Sequence, residues 1–343
     1  MAERVLTQRE LNRALLARQF LLERKRLSLP KALERIGGIQ AQYAPAMYVG
    51  AWSRVAGLER DTVTRALEER RVIQATLMRS TIHLVAPGDY WPFALAVREA
   101  RRQSLLRSVK DLTAPKMAGA ARTVRKALAD GPLTRTQIEE LVGKERARGV
   151  GLWLDMVRVP PSGTWERRRA DLYGLAEDWL APSEITPAAA VDHLVRSYLR
   201  GFGPASKHGV ASYTGLRVGE LKAVFARLEL ERHEREDGTE LLDVPGSPLP
   251  DPETPAPVRF LPVWDATLLV HARRTGLLPE ALRPEVFSVK KPHGTPTFLV
   301  DGAVAGAWRH DDGRVTLEPW SKLDRATRRA LDDEAERLAA FHA

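Results

Sequence analysis

One punctuation pattern, met three times along the chain, constrains the fold more than any other feature: capped helices followed by two short strand-like runs. In the first round, Thr7-x-x-Glu10 is a capping box, whose hydroxyl and carboxylate satisfy free backbone N–H groups, and it predicts a helix to about Leu22. Ser28-Leu29-Pro30 predicts a second helix ending at Gly37-Gly38, because proline suits a first helical turn and glycine a left-handed exit. An apolar helix over 46–56 and one opened by Asp61 and ending near Arg70-Arg71 follow. VIQATLM (72–78) and STIHLVA (80–86) are β-branched and roughly alternating, as strands are.

Asp89 then opens a long helix to about Lys110, on which Arg98 and Arg102 share a face as a solvated pair or a phosphate contact. The second round has a helix over 116–129 and a Thr134-x-x-Gln137 capping box whose helix closes at Gly143. A helix over 147–157 and strand-like runs TWERRR (164–169) and DLYGLAEDWL (171–180) complete it. The third has a helix from Pro187 to about Arg200, a Ser206-capped helix to Gly215, and a helix over 221–228. Its hairpin, LELERHERE and TELLDV, turns at Asp237-Gly238, a pair suited to the tight primed turns.

Helices followed by a hairpin describe a winged helix. The expected fold is therefore α+β and mainly helical: winged-helix units over 1–112, 113–184 and 185–246, then a linker and a small β-rich α+β cap over 247–343. The linker, 245–257, is rich in proline and acids. The cap holds FLPVWDATLLV, a hairpin at Asp301-Gly302, the strand RVTLEPW and a closing helix over 324–341.

Composition narrows the function classes. With 343 residues, several modules are expected rather than one core. The net charge of +9 suits a polyanion such as nucleic acid, although Arg-rich chains often carry such charge without binding it. There is no cysteine, hence no disulfide, zinc–thiolate site or thiol nucleophile. The charged start lacks a signal peptide's apolar core and no stretch has a membrane span's apolar length, so a cytoplasmic, nucleoid-associated protein is expected. The eight histidines are scattered without metal spacing, and no Gly-rich phosphate loop or Ser-His-Asp set is present. Neither cofactor nor metal is expected.

Five blocks in order carry a resemblance: GGIQAQYAPAMYVGAWSRV (37–55), LMRSTIHLVAPGDY (77–90), YLRGFGPASKHGVASYTGL (198–216), RFLPVWDATLLVHARR (259–274) and PTFLVDGAVAGAWR (296–309). Over about 7–341 the chain resembles the winged-helix superfamily of bacterial DNA glycosylases that includes AlkZ and YcaQ. The resemblance implies three winged-helix units in a C shape, with the C-terminal part closing a DNA channel. It implies a catalytic Gln–aliphatic–Gln motif in the AlkZ branch and Gln–aliphatic–Asp in the YcaQ branch. Here the motif reads Gln40-Ala41-Gln42, similar to the AlkZ branch. The implied substrates are N7-alkylguanine and related cationic purine adducts, with bulky adducts and interstrand crosslinks in that branch.

The chemistry fits neutral amides. An N7-alkylated purine is already cationic, and its base leaves without prior protonation. The enzyme must hold the nucleotide, stabilise an oxocarbenium-like centre and aim water at C1′. A Gln carbonyl can accept from water while its NH2 holds sugar or phosphate oxygens. Gln is a poor general base, which argues against excision of uncharged bases. In an extended segment the two side chains point to one side, whereas in a helix they would diverge. By itself such a pair is what any solvated segment carries; the blocks around it give Gln40 and Gln42 the catalytic reading.

Other candidates stand beside structural alternatives. Thr81 and His83 alternate on the first wing and could face lesion or phosphate, or sit half-buried. Arg79 could pair with phosphate, and Tyr43 could stack on a displaced base or fill the core. Arg167, Arg168 and Arg169 could contact phosphates from the second wing. His271, Arg273 and Arg274 could touch DNA across the channel. Asp265 is either a buried cap or an auxiliary acid. The expected function is a monofunctional glycosylase, monomeric, acting on double-stranded DNA carrying alkylated purines. Its rival is a non-catalytic winged-helix regulator, which would present a dimer and a defined operator.

Overall fold

The computed structural model describes residues 4–269, 276–287 and 294–343. The threefold pattern emerges as a repeated topology. In the first round α1 (Gln8–Arg18) and α2 (Leu29–Ile36) precede the short strand β2 (Ile39–Gln40); α3 (Ala44–Trp52), α4 (Arg60–Glu68), β3 (Ile73–Thr76) and β4 (Ile82–Val85) follow. The sheet order is β2-β4-β3, antiparallel throughout. The Thr7/Glu10 capping box forms, and Gly37 ends α2 in the left-handed conformation.

The second round repeats it beyond the long helix α5 (Pro87–Ser108). Helix α6 (Ala114–Leu128), strand β5 (Leu133–Thr134), α7 (Arg135–Val142), α8 (Lys144–Gly149), β6 (Met156–Arg158) and β7 (Leu172–Leu175) give a β5-β7-β6 sheet. The Thr134/Gln137 box caps α7. Two expectations are corrected. The helix expected to reach 157 ends at Gly149 and a 3-10 turn over Val150–Leu152, and Met156–Arg158 is a strand. TWERRR is no strand: it lies in the loop between β6 and β7, folded back by Gly163 N–H bonds to the Arg167 and Arg169 carbonyls.

In the third round, α9 (Pro187–Phe202), α10 (Lys207–Thr214) and α11 (Val218–Arg227) precede β8 (Glu231–Arg235) and β9 (Glu240–Asp243). Ala205 bridges Leu242 where the other rounds place their first strand. A strand not foreseen, β1 (Val5–Leu6), pairs in parallel with β8, so residues 1–112 do not close on themselves. Arg18 on α1 reinforces the link: its Nη1 and Nη2 donate to the two Asp243 oxygens at 2.6 and 2.7 Å, fully buried.

The C-terminal part is a four-stranded antiparallel sheet, β10 (Arg259–Leu261), β11 (Thr297–Val300), β12 (Ala303–Asp311) and β13 (Arg314–Pro319), with the short α12 (Arg283–Val286) and the closing α13 (Arg325–His342). It shares a core with the first round: Phe260, Phe298, Trp308 and Leu338 pack with Met47, Tyr48 and Leu84. A second core runs through α5 and α9 and joins the first and third rounds by Phe93, Tyr198 and Phe202. The second round keeps a small core of its own around Val124 and Ile138. Burying these apolar side chains, at roughly 1.5–3 kcal/mol each, is what fixes the rounds together. Among the described residues no helix is long and apolar enough to cross a membrane.

Candidate active site and nucleic-acid interface

The Gln motif sits where two glycines deliver the chain from α2 onto the first sheet. Gly37 (φ +79) caps α2, and Gly38 (φ +82) brings the backbone so close to β4 that a Cβ would meet Val85 Cγ1 at 2.9 Å and the Leu84 carbonyl at 3.0 Å. Gln40 is then extended in β2 opposite His83, and the Ala41 N–H donates to the Ile82 carbonyl at 2.7 Å. Cross-strand partners share a face, so Gln40 and His83 lie side by side, both buried.

Each Gln carbonyl already has one donor. Arg79 Nη2 donates to Gln40 Oε1 at 3.1 Å, and the Ile82 N–H donates to Gln42 Oε1 at 3.1 Å. A carbonyl oxygen has two lone pairs, so each keeps one for a water. Gln42 is exposed, whereas Gln40 is held from behind. These bonds fix the amide orientations before any ligand arrives.

Arg79 is set by the turn between β3 and β4. It adopts a left-handed backbone (φ 51), donates Nη1 to the Tyr213 carbonyl at 2.7 Å, and lies 5.1 Å from the Tyr213 ring centroid. Tyr213, from α10, also donates its hydroxyl to the Gly37 carbonyl at 2.8 Å. The third round thus props both the residue behind Gln40 and the turn before it. Burial lowers the Arg79 guanidinium from its ordinary value, partly opposed by Tyr213 and Tyr198.

His83 offers no acid at neutral pH. Burial, with Arg79 nearby, pushes its imidazole down to about 3. Its Nδ1 meets the Thr81 carbonyl at 3.0 Å, which makes Nδ1 the protonated nitrogen of the neutral ring. Thr81 is half-buried, and its hydroxyl donates to the Met78 carbonyl at 3.1 Å. The alternation of the two side chains is as expected, but His83 faces the interior.

The other candidates separate into groups. Tyr43 and Arg168, 125 positions apart, meet: Arg168 Nη1 donates to the Tyr43 hydroxyl at 3.1 Å. They stand at a cavity of about 230 Å³ lined by Trp165, Trp308, His310 and His342, one residue along from Gln42. Arg167 is exposed beside them, and Arg169 pairs with Asp171 at 3.0 Å. Asp265 is buried, and its Oδ1 accepts from Arg54 Nη2 (2.9 Å), the Thr267 N–H (3.0 Å) and the Thr267 hydroxyl (2.8 Å). That is the geometry of a structural cap, with its charge spent on Arg54. Arg98 and Arg102 bind the second round to α5, through Asp155 at 2.5 Å and the Leu152 carbonyl at 2.7 Å, so the Arg98 charge is paired while that of Arg102 is not. His271, Arg273 and Arg274 lie outside the described residues.

A family model described as DNA glycosylase AlkZ-like matches residues 33–341. The chain belongs to the AlkZ-like DNA glycosylase family. This family member is 24% identical, over 362 residues, to an interstrand DNA cross-link repair glycosylase of Streptomyces sahachiroi, covering 94% of this chain and 93% of the relative. Its fold is similar to that of Streptomyces sahachiroi DNA glycosylase AlkZ, with a TM-score of 0.80 at 18% identity over 99% of this chain and 98% of that one.

Sequence reasoning missed two arginines of this AlkZ-like chain. Arg101 on α5 and Arg158 on β6 converge on Thr76, at the end of β3: Arg101 donates to its carbonyl and Arg158 to its hydroxyl. Arg101 stands one turn from Arg98, a spacing that could have flagged it. Arg158 lies in a short apolar strand and carries no local signal.

Proposed function

We propose that this chain is a monofunctional DNA glycosylase that hydrolyses the N-glycosidic bond of cationic N7-alkylated purines in double-stranded DNA. The observation that carries the reading is the pair Gln40 and Gln42. Both amides are fixed by donors on their carbonyls, with an arginine behind one and, across the ladder from it, a histidine that carries no acidic proton at neutral pH. Such a site can orient water and sugar but cannot protonate a leaving base. It therefore suits a purine whose own positive charge has weakened the bond. Water attacks C1′ as the C1′–N9 bond breaks, the neutral alkylpurine departs with the electron pair, and a proton passes to solvent.

The three rounds, helix–strand–helix–helix–hairpin with a single bridge in place of the first strand in the third, are read as tandem winged helices, with the C-terminal sheet closing a channel around DNA. The residues facing that DNA are Gln42, Tyr43, Arg79, Arg167 and Arg168. A soluble monomer fits three dissimilar rounds in one chain better than a two-fold regulator does. The relative's name extends the reading to crosslinked duplexes. Release of N7-methylguanine, or of one arm of an N7–N7 crosslink, from an otherwise undamaged duplex tests it. The expected result is a free alkylpurine and an abasic site. Intact substrate in both cases, with tight DNA binding, would leave the regulator.

A further inference from the structure

Between the turn carrying Arg79, helix α5, and the second round lies a cleft of about 800 Å³. Six arginines line it, Arg79, Arg98, Arg101, Arg135, Arg148 and Arg158, against one carboxylate, Asp155. Asp155 is engaged by Arg98, and Arg135 has its own partner in Glu139 at 2.7 Å. Arg79, Arg101 and Arg158 form no ion pair among the described residues.

These three side chains are hydrogen-bonded but not neutralised. Arg158, 7% exposed, donates Nη1 to the Thr76 hydroxyl at 2.6 Å and lies 4.7 Å from the Tyr173 ring centroid. Arg101 donates to the Leu77 carbonyl at 2.9 Å and the Ser80 hydroxyl at 3.2 Å. Neutral acceptors satisfy N–H groups and leave the charge in place. Burial pushes the Arg101 guanidinium down to about 10, and the like charge of Arg158 adds to it. Burial lowers Arg158 as well. Uncompensated charges in a partly desolvated cleft are unfavourable unless an anion completes them.

We propose that this cleft is a phosphate subsite, in which Arg79, Arg101 and Arg158 together hold phosphodiester groups of the DNA strand. Resting on the glycosylase reading, it gives Arg79 a second task. One guanidinium nitrogen holds Gln40 Oε1, so a phosphate seated in the cleft would fix the catalytic amide and the strand by the same side chain. Arg101 and Arg158 are then positioning residues, acting on the strand rather than on the reacting atoms.

The test is binding of an undamaged duplex, followed by fluorescence anisotropy over a range of salt, for wild type, Arg101→Gln and Arg158→Gln. Each variant should bind roughly tenfold more weakly at low salt, because a charge-assisted bond is lost. The slope of log affinity against log salt should fall by about one per lost contact. Thermal unfolding without DNA separates this from a structural role: removing one of the clustered like charges should leave the melting temperature unchanged or raise it. Pyrophosphate should raise the melting temperature of wild type and do so less in the variants. Should Arg158→Gln fail to fold, the half-buried Arg101→Gln carries the same reading. Unchanged affinity and slope in folded variants would overturn the proposal. So would pyrophosphate stabilisation with DNA binding unaffected, which would assign the cleft to a small free anion. Because undamaged DNA is the probe, loss of slope without any base release would sink the glycosylase reading and leave the subsite standing.

Discussion

Replacing Gly38 by alanine should damage both the fold and the site, by an amount that its neighbour Gly37 calibrates. Both glycines have left-handed backbones, φ +79 and +82. A side chain in that region costs about 1–2 kcal/mol. At Gly37 the new Cβ would find its nearest neighbour, the Tyr213 hydroxyl, at 3.4 Å, so strain is the whole cost. At Gly38 it would lie 2.9 Å from a branched methyl of buried Val85 and 3.0 Å from a ladder carbonyl, neither free to swing away. Overpacking of that kind adds about 1–3 kcal/mol. Gly37→Ala should therefore lose about 1–2 kcal/mol, and Gly38→Ala about 2–5 kcal/mol, in urea unfolding. Because Gln40 is two residues on and pairs with His83 across the same ladder, Gly38→Ala should also slow base release beyond its unfolded fraction. Equal losses for the two variants would refute the argument that close approach to β4, rather than backbone angle alone, demands Gly38.

Other consequences follow from the buried polar groups. Asp243→Asn strands the buried Arg18 guanidinium and should cost about 3–5 kcal/mol in urea unfolding, whereas a loss under 1 kcal/mol would show that the link between α1 and β9 is dispensable. Asp265→Asn should lower stability by breaking the pair with Arg54, yet leave single-turnover base release of the folded enzyme unchanged; a lost rate with intact stability would make Asp265 an auxiliary acid. The His83 imidazole is held near 3 against an ordinary 6.5, so between those values the unfolded chain binds the proton that the folded one does not. This contribution to stability is complete above pH 6.5 and is lost as pH falls towards 3, by up to about 1.4 kcal/mol per pH unit. His83→Gln should flatten that slope in urea unfolding at pH 5 and 7, and an unchanged slope would mean that the ring is protonated in place.

Local chemistry was legible in the sequence, and long-range pairing was not. The boxes at Thr7/Glu10 and Thr134/Gln137 form as their spacing requires, because a cap is decided by four neighbouring residues. The Asp237-Gly238 turn likewise joins its two strands, with Gly238 at φ +81. By contrast β1 pairs with β8 some 229 residues away, and two residues of strand leave no periodicity to read. TWERRR alternates like a strand but is drawn into a loop, while the hairpin partner of β7 is the three-residue run Met156–Arg158, which reads equally well as the end of a helix. At the site, the resemblance singled out Gln40 and Gln42, and β alternation placed Thr81 and His83 near them. What alternation could not tell was which face is buried, and so His83 was a candidate for a surface it does not reach. The meeting of Tyr43 with Arg168, and of Arg101 with Arg158, depends on how the rounds pack, a matter no local pattern records.

The central claim is that two fixed, neutral amides carry the chemistry. Single-turnover release of N7-methylguanine from a duplex, compared for wild type, Gln40→Ala and Gln42→Ala with folding and DNA affinity checked alongside, tests it most directly. The account predicts release by wild type and a loss of about a hundredfold or more in each variant, the scale of removing one positioned polar group from a reacting centre, with affinity for undamaged DNA nearly unchanged. Release by both variants at the wild-type rate would contradict it and move the active site elsewhere on the chain.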